Sequence, residues 1–182
     1  MDNKYIKIYN DAISTDFCDK IVTKFEKNIH QIESFENYGR PNFQQINLHQ
    51  HEEWAKFRSS LDIVFKKYLK QYRADCGITD YHWPAQYGFE QYRMKRYMPN
   101  DKDQFKAHVD VQDYDSARRF LVFFLYCSNN EAGQTVFNDM NINVSCSKAS
   151  LLLFPPLWTY LHSGAKPINT PKYIIGSYLH YL

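Results

Sequence analysis

The spacing of apolar residues changes near residue 89, and that change limits the folds open to the chain. Before it, apolar side chains recur at helical spacing. Phe17, Ile21, Val22, Phe25 and Ile29 follow a capping Ser14 or Thr15, and Trp54, Phe57, Leu61, Val64, Phe65, Tyr68 and Tyr72 form a second stripe over about 51–72. A short strand over 4–9 precedes them. Residues 31–48 are polar, carry Gly39-Arg40-Pro41 and read as a loop, and 75–88 is broken by Gly77, Pro84 and Gly88. After residue 89, β-rich stretches follow one another at 90–97, 105–111, 118–127, 134–137, 142–146, 150–154, 158–163 and 172–182. Spacers such as Pro99-Asn100-Asp101, Asn129-Asn130 and Asn169-Thr170-Pro171 separate them. Helices followed by a run of strands predict a mainly β protein with N-terminal helices: a jelly-roll, or double-stranded β-helix, with the helices packed on its major sheet. With no repeat and no linker, 1–182 reads as one domain, with helical support over about 1–88 and a jelly-roll core over about 89–182.

Composition narrows the function classes. A chain of 182 residues is long enough to bury a core without disulfide or metal staples. Six Gly, seven Pro and an aromatic content of 17% exclude a disordered or fibrous protein. Twenty-two basic residues against 20 acidic ones leave a formal charge of +2, so there is no basic domain to grip phosphate backbones, and nucleic acid is not the expected partner. No run approaches the roughly 20 apolar residues of a membrane span, and the N-terminus is polar. The expectation is a soluble, cytoplasmic protein with no nucleic-acid or membrane partner. The four cysteines, at 18, 76, 127 and 146, contain no C-x-x-C pair and read as free thiols.

Seven histidines offer the chemistry. His49-Gln50-His51-Glu52-Glu53 is a possible metal cluster, but acidic residues at a helix start are favoured by the helix dipole, and a solvated first turn explains it better. His108-Val109-Asp110 differs, because residues i and i+2 of a strand share a face and both side chains can converge on one ion. A third donor is available at His162, in the later stretch WTYLHSG. Two His and one carboxylate are the facial triad of non-haem Fe(II) oxygenases, which leaves metal positions open. Taken alone, His108 and His162 are equally ordinary polar strand residues. Lys172 opens the strand KYIIGSYL and shares a face with Ile174, Gly176 and Tyr178. Inside a buried strand it needs an anionic partner; at a strand mouth it is a surface lysine.

Four segments occur in a familiar order: RYMPNDKDQFKAHVD, RRFLVFFLYCSNNEAGQTVF, SLLLFPPLWTYLHSGAKPI and KYIIGSYL. Together they resemble the 2-oxoglutarate- and Fe(II)-dependent dioxygenases, most closely the prolyl-4-hydroxylase-like branch, over roughly 90–182. The resemblance implies His108, Asp110 and His162 as iron ligands and Lys172 as the salt-bridge partner of the far carboxylate of 2-oxoglutarate. It implies Tyr126 as a hydrogen-bond donor to that carboxylate, and Tyr97, Thr135 and Tyr178 as further residues of the co-substrate region. Phe120, Val122, Phe124 and Tyr126 would share one strand face. The chain departs from the family pattern where the first Gly of the G-G-x-T-x-F hairpin is Ala132, where Tyr178 replaces a tryptophan, and where the distal basic residue is Lys rather than Arg. An intact Asp110 disfavours the halogenase variant.

The activity so implied is hydroxylation of an unactivated C–H bond, with 2-oxoglutarate and O2 as co-substrates, ascorbate as an optional reductant, and succinate and CO2 released. A prolyl residue in a peptide or protein is the leading substrate. The alternatives are a free amino acid or other small metabolite, or a jelly-roll that binds without turnover. The loops 75–88, 99–105 and 112–117 are candidates to frame the entrance.

Overall fold

Both helices form where the apolar stripes place them. In the computed structural model, which describes residues 3–35 and 42–182, α1 spans Thr15–Lys27 and α2 spans Ala55–Asp75. The Ser14 side chain caps α1 by accepting from the Phe17 backbone N–H at 3.2 Å. Cys18, Ile21 and Phe25 are its buried face. Ile29 lies beyond the helix end and is 66% exposed, so it leaves the expected stripe. Leu61, Phe65, Leu69 and Tyr72 form the buried face of α2, with Trp54 buried in the short turn that leads into it.

Twelve strands are seen among the described residues. A large antiparallel sheet holds, in order, β1 (Lys7–Tyr9), β10 (Leu151–Phe154), β7 (Arg119–Tyr126), β12 (Lys172–Tyr181), β5 (Arg93–Tyr97), β3 (Phe43–Asn47) and β2 (Glu33–Phe35), with β4 (Tyr87–Phe89) also on β12. A smaller sheet holds β6 (Phe105–His108), β11 (His162–Gly164), β8 (Asn130–Phe137) and β9 (Ile142–Cys146). The helices cover one face of the large sheet and the small sheet covers the other, which is the jelly-roll arrangement with helices on the major sheet.

Strand parity divides the core in two. Leu121, Phe123 and Leu125 of β7 join Ile175 and Leu179 of β12 in the cluster that meets the helices. Their neighbours Val122, Phe124, Tyr126 and Ile174 pack between the sheets with Phe137, Leu152 and Phe154. Because β7 is buried on both faces, RFLVFFLY is a continuous apolar run rather than an alternating one. The interior face starts at Val122. Phe120 falls at the register shift between Leu179 and His180 and turns to the helix side against Trp83, Tyr87 and Tyr181.

Beyond Ile29 and Phe120, the structure corrects the sequence expectation in three further places. The supposed loop 31–48 contains β2 and β3, whose polar residues are paired: Gln45 donates to Glu33 at 3.0 Å and Asn47 to Gln91 at 2.7 Å. Gly39-Arg40-Pro41 lies outside the described residues. The stretch 105–111 is strand only to His108, so Asp110 is reached through the following turn. Of 158–163, only the last two residues are strand; Trp158 is 80% exposed. Among the described residues no helix is long and apolar enough to cross a membrane.

Phe65 sits at the contact of α2 with the large sheet, 5.2 Å from Phe123 and 5.3 Å from Tyr92 between ring centroids. Phe65→Ala is expected to destabilise the fold by about 3–5 kcal/mol in denaturant unfolding, through lost burial and the cavity left behind.

Candidate active site

Three chain segments bring His108, Asp110 and His162 together. His108 ends β6 and His162 begins β11, and the two residues are directly paired in the small sheet. Asp110 follows His108 by two residues, and its backbone carbonyl accepts from Arg119 at 3.3 Å. His108 Nε2 lies 3.6 Å from one Asp110 oxygen and His162 Nε2 lies 3.6 Å from the other. One donor atom from each residue falls within 4.8 Å of the other two, the sole such cluster among the described residues. The 49–53 segment gathers no comparable set, and its exposed residues fit the solvated helix start.

The donors are prepared for a cation. His108 Nδ1 donates to the Lys106 carbonyl at 2.7 Å and His162 Nδ1 to the Tyr160 carbonyl at 3.0 Å. Each hydrogen bond fixes the tautomer whose Nε2 carries the lone pair. His162 is 2% exposed, and burial lowers its pKa against the opposing pull of Asp110, favouring the neutral ligand form. Burial pushes the Asp110 carboxyl up, but the adjacent His108 and His162 imidazoles and the Tyr178 hydroxyl outweigh it and hold the carboxyl below its ordinary value, which keeps it the anionic ligand. His162 Nε2 and Asp110 Oδ2 are buried with no hydrogen-bond partner. Buried polar atoms are normally satisfied, so two orphans facing each other fit a metal ion that would supply their missing partner. The N, N, O donor set suits Fe(II).

Beside the triad, a small cavity of about 30 Å³ is lined by Lys172, Tyr97, Thr135, Phe124, Tyr178 and Lys95, among others. Lys172 is 3% exposed and makes no ion pair among the described residues; burial lowers its pKa to about 8. Its ammonium lies 5.7 Å from the ring centroids of both Tyr97 and Tyr126. The Tyr126 hydroxyl shares a 2.7 Å hydrogen bond with Thr135. Tyr178 donates to Asp110 Oδ1 at 2.9 Å and so orients the carboxylate. All eight singled-out residues therefore converge on one region, with Tyr126 just behind the wall and Tyr178 bonded to the triad carboxylate.

Three contributors escaped the sequence reading. Asn130 ties the turn of β8 to the approach to β12, accepting from Gly133 at 2.9 Å and donating to the Thr170 carbonyl at 2.7 Å. Phe105 stacks on His108 with 3.7 Å between centroids. Lys95, third residue of RMKRY, faces the triad; its strand parity with Tyr97 was the signal that could have found it. An outer cleft of about 620 Å³ meets the small cavity along Lys95, Phe105, His108, Asp110 and Tyr178. Of the candidate entrance loops, Phe105 and residues Gln112, Asp113 and Ser116 line this cleft, whereas 75–88 supplies none of its lining and packs Trp83 against Phe120.

Solved structures share this fold over nearly the whole chain. A viral collagen prolyl hydroxylase from Paramecium bursaria Chlorella virus-1, in a complex with 2-oxoglutarate, superposes with a TM-score of 0.72 at 20% identity, covering 100% of this chain and 98% of that one. A Pseudomonas putida prolyl-4-hydroxylase gives 0.68 at 13% identity over 97% and 92%. A Trichoplax adhaerens prolyl hydroxylase, bound to a hypoxia-inducible-factor peptide fragment, gives 0.76 at 12% identity over 98% and 84%. By sequence, no family model and no curated protein matches the chain. The chain thus has the fold of the prolyl hydroxylases.

Tyr178→Phe is expected to weaken divalent-metal binding about 10- to 100-fold, the usual cost of losing a partner of a metal ligand. Titration with Co(II), followed by its visible absorption, measures it.

Proposed function

We propose that the protein is an Fe(II)- and 2-oxoglutarate-dependent dioxygenase that hydroxylates an unactivated C–H bond, with a prolyl residue of a peptide or protein as substrate and with succinate and CO2 released. The observation that carries this reading is the pairing of two orphaned, buried metal-type donors with a buried, unpaired lysine in one cavity. The prolyl hydroxylase fold of the chain, and the peptide bound to one structural neighbour, support the substrate class.

His108, Asp110 and His162 would hold Fe(II), and Lys172 would hold the far carboxylate of 2-oxoglutarate. Iron with its co-substrate and O2 supplies an oxidising power that no amino-acid side chain has. The protein's own residues do the rest. The two imidazoles offer Nε2 lone pairs because their Nδ1 protons are committed to backbone carbonyls. Asp110 brings the one negative charge, aimed by Tyr178. The Lys172 ammonium, held among aromatic rings, attracts a carboxylate strongly because little water screens it. Phe105, Phe124 and Ile174 wall the cavity and keep water from it.

Asp110→Ala or His108→Ala is expected to abolish succinate formation, whereas Lys172→Ala raises the 2-oxoglutarate concentration required by about 100-fold, the scale of a lost charged partner. Gly133→Ala acts in the same direction, since a Cβ there would stand 2.9 Å from Lys172 Cδ. Succinate assays across a 2-oxoglutarate series test all four; wild-type turnover in Asp110→Ala defeats the assignment.

The pKa of Lys172 adds a pH signature. Folding lowers it to about 8, so above that pH the free protein loses the ammonium that the carboxylate needs. Affinity for 2-oxoglutarate should fall by up to about tenfold per pH unit above 8. Lys172→Arg, charged throughout this range, should flatten the decline in calorimetric titrations.

A further inference from the structure

Lys95 is a second cation turned toward the triad, and no residue among those described pairs with it. β5 is hydrogen-bonded on both sides, with Lys95 opposite Gln45 of β3 and Ile174 of β12. Its neighbours Met94 and Arg96 face the helices: Met94 is fully buried and Arg96 binds Glu26 at 2.7 and 2.8 Å. Lys95 and Tyr97 must therefore point between the sheets, since strand side chains alternate. A lysine on an edge strand could swing outward; this one is fixed in register on both flanks.

Its surroundings are aromatic and cationic. The ammonium lies 4.8 Å from the Phe43 ring centroid and 5.6 Å from that of Phe105. It makes no ion pair among the described residues, and burial lowers its pKa to about 8, with Asp110 pulling the other way and Arg93 and Arg119 adding to the fall. The other cations nearby are accounted for. Arg119 grips Glu90 at 2.8 and 3.0 Å, Arg93 reaches the same carboxylate at 3.9 Å, and Lys106 is exposed to solvent. Of the anions in the outer cleft, Asp113 is engaged by Ser116 and Asp110 belongs to the triad.

The two lysines occupy different ground. Lys172, Tyr97 and Thr135 line the small cavity alone, whereas Lys95 lines both that cavity and the outer cleft. It stands at the shared boundary with Phe105, His108, Asp110 and Tyr178, where a substrate from the cleft must pass to reach the triad. An unneutralised cation there calls for a complementary charge on the incoming molecule.

We propose that Lys95 is a specificity-determining residue that binds a carboxylate of the substrate, so that the preferred substrate carries an acidic group next to the carbon to be hydroxylated. This rests on the dioxygenase reading above and narrows its substrate class. The carboxylate has two sources, that of the reacting residue itself or the side chain of an acidic neighbour in a peptide. Phe43 and Phe105 hold the ammonium in place before the substrate arrives, which limits the ordering cost on binding.

The test uses full-length protein loaded with Mn(II) and 2-oxoglutarate, which binds without turnover, and isothermal calorimetry with two matched pairs of probes. N-acetyl-L-proline against its amide reports a carboxylate on the reacting residue; N-acetyl-Glu-Pro-amide against N-acetyl-Gln-Pro-amide reports one on the neighbour. In at least one pair the acid should bind about tenfold or more tightly than its neutral twin. Lys95→Met should erase that preference and Lys95→Arg should keep it. Separate titration of 2-oxoglutarate into Mn(II)-loaded Lys95→Met should give an affinity near wild type, while Lys172→Ala loses it. Equal binding within both pairs, no binding of any probe, or a preference that survives Lys95→Met overturns the proposal. So does a loss of 2-oxoglutarate affinity in Lys95→Met as large as in Lys172→Ala, which would make Lys95 a co-substrate contact. Failure of the Mn(II)-loaded wild type to bind 2-oxoglutarate refutes the dioxygenase reading, and this inference with it.

Discussion

The ladder of β12 with β7 and β5 governs the rest of the molecule. β12 pairs with β5 over Lys172–Gly176 and with β7 over Ile174–His180, so every second side chain is committed to one of two dry environments. Ile175 and Leu179 go to the helices, while Lys172, Ile174 and Tyr178 go to the space between the sheets. A slip of one residue would bring Tyr173, Ile175 and Leu179 against the triad and turn Lys172 toward the helices, away from the cavity. The helix contacts through Phe65, Trp54 and Tyr72 thus act on the site indirectly, by making any other register too costly.

Within that frame, polar groups are concentrated where the sheets part. The triad, Lys172, Lys95, the Tyr126–Thr135 pair and Tyr178 lie in a region otherwise walled by Phe and Ile. Low local dielectric cuts both ways there: it makes unpaired charges expensive in the free protein and makes their ligands bind strongly. The orphaned oxygen of Asp110 and nitrogen of His162 are the local form of that cost. Asn130 shows how the backbone is recruited to the same end, since its side chain holds the β8 turn and residues 168 and 170 together just before Lys172.

Much of this was legible in the sequence because the strands that matter are apolar on both faces or strictly alternating. The helix stripes, β7 and β12 carry their burial in their residue types. β3 was hidden for the opposite reason: FQQIN looks like a loop until Gln45 and Asn47 are given partners from distant segments. The triad was found by a strand argument that is only half true. His108 ends its strand, and Asp110 is swung into place by a turn that Arg119 and the Val111–Pro156 backbone contact hold. The spacing survived because a turn of that length also returns the carboxylate toward the imidazole, which pattern alone cannot distinguish from strand parity.

Lys95 and Lys172 show where pattern reading stops. Each is a lysine on a strand of the large sheet facing the same interior, yet only Lys172 stands out in sequence, because KYIIGSYL is apolar around it. Lys95 sits in RMKRY between two arginines, a string that resembles a solvated edge. What inverts that impression is the pairing of β5 on both flanks, together with Glu26 and Glu90 drawing the two arginines away. Once those carboxylates are spent, the middle lysine is left facing the triad with no counter-ion of its own among the described residues. A strand that reads in sequence as a solvated edge is therefore the one that brings a cation to the boundary of the small cavity and the outer cleft, which is why the substrate proposal rests on it.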